Sequence, residues 1–132
     1  MALGFARTLI HPVSGQTINA GATYTSPEQD LGADTLAEQI WLYVQVTGFA
    51  ANPGGNELFH IYIIPIHTTS GDGFDDNIIE LLATADADQK YQWAWKLDSL
   101  PRYFKVAIKN DTGQNTDASA VDGWIEVVKV TA

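Results

Sequence analysis

"IWLYVQVTGF", residues 40–49, decides the fold. Ile40, Leu42, Val44 and Val46 alternate with Trp41, Tyr43, Gln45 and Thr47, a two-residue period that places the first set on one face of a β-strand and the second on the other. One face is built for a core. The other carries two large aromatic side chains, which makes Trp41 and Tyr43 candidates for an exposed interface.

The same period recurs along the chain. In "KYQWAWKL", residues 90–97, Tyr91, Trp93, Trp95 and Leu97 share a face, and Lys90, Gln92, Ala94 and Lys96 share the other. Trp93 and Trp95 therefore read as core packing. "YFKVAIKN", residues 103–110, turns Phe104, Val106 and Ile108 inward and Lys105 and Lys109 outward, and "GWIEVVKVT", residues 123–131, is a last strand with less distinct faces. "ELFHIYIIPIH", residues 57–67, is apolar on both sides, as in a central strand, and Pro65 puts a bulge or the strand end close by. Between it and the opening stretch, "AANPGGN" supplies proline and two glycines for a turn, so residues 40–66 are expected to form a hairpin.

An early strand is expected around residues 17–25 and a short one at 78–83. "DNIIELLATADAD", residues 76–88, has a helical look but is too short and too rich in turn residues for a helix. Many short strands separated by Gly, Asn, Asp and Pro give an all-β chain. The expected fold is an antiparallel β-sandwich of jelly-roll type with seven or eight strands. At 132 residues there is room for one domain, taken as residues 16–132 with residues 1–15 as an N-terminal arm. The arm, "MALGFARTLIHPVSG", lacks the continuous apolar run of a signal peptide or membrane span, and its Leu3, Phe5, Leu9 and Ile10 either complete the chain's own sheet or grip a neighbour.

Seven Lys and Arg against sixteen Asp and Glu leave a net charge of −9, which repels phosphate backbones and argues against a nucleic-acid partner. There is no cysteine, so disulfides and thiolate zinc sites are excluded and stability must come from packing or association.

Catalytic and metal motifs are correspondingly thin. The sequence has no G-x-S-x-G elbow and no GxxxxGK phosphate loop, and pairs drawn from Glu38, Glu57, Glu80 and Glu126 are what any acidic protein offers. The loop "HTTSGDGFDDNI", residues 67–78, holds Asp72, Asp75 and Asp76 as weak metal candidates. Neither EF-hand register places the required glycine or oxygen ligands, and the stretch reads as a Gly-rich turn. His60 and His67 fall on opposite faces of a regular strand, and His11 has no spacing that links it to either. No enzyme activity, metal or cofactor is expected.

Four segments in order, "TYTSPEQDLG" (23–32), "LYVQVTG" (42–48), "IYIIPIHTTSGDGFDDN" (61–77) and above all "LPRYFKVAIKNDTG" (100–113), together resemble the small β-sandwich virion proteins of tailed bacteriophages, whose clearest members are capsid decoration or cement proteins. The likeness spans roughly residues 16–130; "DLGADTLAEQIWLYV" departs from it by a longer stretch before the strand. It implies a structural protein assembled in a host bacterial cytoplasm. Such a protein binds the major capsid protein on the outer capsid surface, commonly as a homotrimer, and has no nucleic-acid or membrane partner. The aromatics Trp41 and Tyr43, with Trp124 as a further candidate, leave a second reading open, a carbohydrate-binding or host-recognition module.

Overall fold

The computed structural model describes residues 4–31, 37–54, 58–66, 79–98 and 100–131. Nine strands are present among them: β1 (Gly4–Gln16), β2 (Thr23–Thr25), β3 (Gln29–Asp30), β4 (Ala37–Val46), β5 (Leu58–Ile66), β6 (Ile79–Thr84), β7 (Tyr91–Leu97), β8 (Tyr103–Asp111) and β9 (Val121–Thr131). They form two antiparallel sheets, one ordered β1-β9-β4-β7 and the other β2-β8-β5-β6, with β3 also on β8. β1 lies on β9, β2 and β3 on β8, β4 on β7 and β5 on β6, so the chain is one long hairpin rolled into two layers, the jelly roll.

β2 and β3 are one strand interrupted. Thr25 stands opposite Ala107 and Gln29 opposite Phe104, a shift of one residue in the same ladder. Pro27 has no N–H to offer there. Ser26 restores continuity: its N–H donates to the Val106 carbonyl at 2.8 Å, and its hydroxyl accepts the Val106 N–H at 2.9 Å while donating to the Pro27 carbonyl at 2.8 Å. Counted this way the sandwich has eight strands.

The expected hairpin at residues 40–66 is not formed. β4 pairs with β7 and β9, whereas β5 lies in the other sheet between β6 and β8. Each strand has a strongly apolar face, and the two faces are satisfied by opposing each other across the core instead of lying side by side. The connection is long enough to change layers and is pinned to distant loops. Phe49 bridges Thr116, its N–H donates to Asp88 Oδ1 at 2.9 Å, and the Asp117 N–H donates to the Gly48 carbonyl at 3.0 Å. The expected early strand is likewise shorter, with residues 17–22 forming the loop before β2.

The N-terminal stretch, where described, lies in the chain's own sheet. β1 runs antiparallel to β9 from Gly4↔Thr131 to Ile10↔Ile125, shifts register twice, and continues to Gln16↔Val121. After the first shift Val13 lies over Gly123, where a Cβ would come within 3.2 Å of the Val13 side chain; the glycine lets the bulged strand settle onto the sheet.

Inside, alternation is nearly complete. Leu42, Val44, Val46, Val121, Ile125 and Val127 of one sheet face Phe59, Ile61, Ile63, Phe104, Val106 and Ile108 of the other, all essentially inaccessible to water. Tyr91, Trp93 and Trp95 pack against this core as expected. Phe49 plugs one end, 5.8 Å from Phe59 and 6.2 Å from Tyr91 between ring centroids.

At the same end a buried amide ties the loops together. The Asn110 side-chain NH2 donates to the Ile18 carbonyl at 2.9 Å and the Gln114 carbonyl at 2.8 Å. Its oxygen accepts the Thr112 N–H at 3.0 Å and hydroxyl at 2.6 Å. The backbone carbonyl accepts from Gly21, and the backbone N–H donates to Ala22. Only an amide supplies two donors and an acceptor here. Asn110→Asp keeps the shape but sets a carboxylate against two carbonyl oxygens, and the substitution is expected to cost on the order of 3 kcal/mol in urea unfolding at pH 7. Leu82→Ala, on the exposed face of β6, should cost under about 0.5 kcal/mol. An Asn110→Asp loss below about 1 kcal/mol would contradict this role.

Candidate functional site

Because β4 and β9 bury every second side chain, the intervening ones form the outer face of the four-stranded sheet. Register brings them into rows. Leu9, Glu126, Trp41 and Lys96 stand abreast on β1, β9, β4 and β7; Trp124, Tyr43 and Ala94 form the next row, and Asp122, Gln45 and Gln92 the one after. Trp41, Tyr43, Trp124 and Val128 are half-buried there, and Leu9 is 62% exposed.

The rings are held in place. Trp41 stacks on Tyr43 at 6.3 Å between centroids, and its indole N–H reaches Gln39 Oε1 at 3.4 Å. His11 lies flat on Trp124 at 4.8 Å with 9° between the planes, its Nε2 3.2 Å from Asp122 Oδ1. That carboxylate also accepts the Gly15 N–H at 2.8 Å, at a glycine with positive φ, so one aspartate fixes both the histidine and the bend of β1. Beside these rings the Gln92 amide donates to Gln45 Oε1 at 2.8 Å, and a shallow groove of about 220 Å³ runs between Tyr43, Gln45, Gln92, Ala94 and Trp124.

Of the interface candidates, Trp41, Tyr43 and Leu9 share this face. Ile10 does not: it stands opposite Ile125 and packs against the core, so it is not available to a partner. Phe5 lies in β1 opposite Val130, and Leu3 lies outside the described residues. The loop at residues 67–78, with Asp72, Asp75, Asp76 and His67, also lies outside them.

The opposite outer face has a different chemistry. His60 on β5 sits between Glu80 on β6, 2.9 Å from Nδ1, and Asp111 on β8, 3.0 Å from Nε2. The two carboxylates approach opposite ring nitrogens and so do not converge on one point. No group of three His, Asp or Glu among the described residues is arranged to hold a metal ion. Just before β8, Arg102 grips Asp30 through Nε at 2.9 Å and a second nitrogen at 3.3 Å. This hydrogen bonding raises the guanidinium above its ordinary value and clamps β3 to the start of β8.

His11, Gln45 and Gln92 were not marked by the sequence. The alternation of "GWIEVV" points Trp124 away from Ile125, but nothing local shows that residues 111 positions apart, His11 and Asp122, come together.

No protein-family model matches the chain, and no curated protein matches it. Twelve chains of solved structures do, among them a subunit of Bacillus endospore appendages, described as a novel family of disulfide-linked pili. That subunit is 9% identical, with a TM-score of 0.32, and the match covers 96% of this chain and 85% of that one.

Proposed function

We propose that this chain is a non-enzymatic virion structural protein that docks on the outside of a bacteriophage capsid through the outer face of its four-stranded sheet. The observation that carries the reading is the band of Leu9, Trp41, Tyr43, Trp124 and Val128, set on paired strands with Glu126 and Lys96 among them. A broad, rigid, partly apolar surface suits a macromolecular partner better than a small substrate, because rings that are already ordered lose little freedom on binding. Support also comes from the resemblance to decoration proteins, whose segments fall on β2, β3, β4, β5 and β8 and so run through both layers. Many equivalent lattice sites would let modest contacts hold firmly.

A specific observation favours a second reading. The Gln45–Gln92 amide pair beside Tyr43 and Trp124 combines ring faces with hydrogen-bonding groups, the chemistry that recognises a sugar ring.

Two measurements separate the readings. Capsids assembled from the major capsid protein of the same genome should bind the protein, and Trp41→Ala with Tyr43→Ala should weaken binding by at least about thirtyfold, as for central aromatic anchors, while Leu82→Ala changes it little. Absence of capsid binding by the intact protein, or equal binding by the double variant, contradicts docking through this face. A glycan array that lights up, with the signal lost in Trp124→Ala, would establish the sugar reading in its place; a blank array removes it.

A further inference from the structure

Among the described residues β1 is an edge strand of the four-stranded sheet, paired with β9 alone. From Gly4 to Ile10 the ladder is regular, with neither proline nor lysine to blunt it, and Leu9 projects from this edge almost two thirds exposed. Two charges flank that leucine. Arg7 stands opposite Val128 and Glu126 opposite Leu9 on the same face, and neither has an ion-pair partner among the described residues.

We infer that β1 pairs antiparallel with β1 of a second copy, centred on Thr8, and joins two four-stranded sheets into one of eight strands. If the two outer faces are to lie on the same side, residues of like parity must stand opposite one another. That leaves few registers. Centring on Arg7 sets arginine against arginine, and centring on Leu9 pairs only Thr8 to Ile10 of the regular ladder, whereas centring on Thr8 pairs Ala6 to Ile10. Centring on Thr8 places Arg7 opposite the second copy's Leu9, with that copy's Glu126 on the next strand. The two Cα atoms are then about 10 Å apart, a gap that extended Arg and Glu side chains span over the leucine. The two-fold axis repeats the pair, so two arginines and two glutamates that have no ion-pair partner among the described residues meet, and both exposed leucines are covered. Main-chain bonding along the edge supplies affinity, and the charges select the register.

The pairing is isologous and closes at two copies. It also merges two aromatic faces into one surface about 34 Å across its eight strands. The closed dimer stands in place of the homotrimer that the resemblance implies, and it does not depend on what that surface binds.

Analytical ultracentrifugation at tens of micromolar tests it. The wild-type protein should sediment at twice the 14.4 kDa chain mass. Arg7→Glu should weaken the dimer at least tenfold with an unchanged circular dichroism spectrum. Arg7→Glu combined with Glu126→Arg should restore it, a rescue that general loss of folding would not show. A monomer or a trimer for the wild type, a dimer indifferent to Arg7→Glu, or a double variant that stays monomeric would each overturn the proposal.

Discussion

A strand that buries one face must display the other, and this two-residue period on β4 and β9 governs most of what the molecule presents. Ile40, Leu42, Val44 and Val46 on β4, with Val121, Ile125 and Val127 on β9, are all inside. Trp41, Tyr43, Trp124 and Glu126 are therefore outside, whatever their own preference for water. A slip of one residue in either strand would carry Glu126 or Gln45 into the core and expose the whole aliphatic set, so register is held by the full hydrophobic energy of the sandwich.

The rest of the architecture serves that arrangement. The two central strands of the sheet lie between β1 and β7, so the displayed rings stand on backbone that is paired on both sides. Loops at one end are sealed by Phe49 and by the Asn110 amide, whose four side-chain hydrogen bonds join the β1–β2 connection to the β8–β9 turn. The two outer faces differ in kind. One carries His11 on Trp124 and Trp41 on Tyr43; the other carries His60 stacked on Tyr62 and held between carboxylates, with Lys105 and Lys109 alongside on β8.

Local pattern made the strands legible, and it made the site half legible. Periodicity at residues 40–46, 91–97 and 103–110 gave strand positions and core faces directly, and the same alternation put Trp41 and Tyr43 outside. Partner choice was not legible, because it rests on contacts far apart in the chain. Proline and glycines at 50–56 suggested a return within one sheet, yet Phe49 is anchored by Asp88 and Thr116, and the chain crosses to the other layer. Ile10 looked like part of an apolar arm because its inward parity is set by its place opposite Ile125, at the other end of the sequence. His11 and Gln92 joined the site for the same reason: cross-strand neighbours are defined by register, and register is a property of the whole sheet.

The central claim, that the outer face of the four-stranded sheet is the binding surface, is tested most directly by hydroxyl-radical footprinting of the protein free and bound to capsids. Trp41, Tyr43 and Leu9 should lose reactivity on binding, while Leu82 on the opposite sheet keeps it. Protection of Leu82 with Trp41, Tyr43 and Leu9 unchanged would contradict the account.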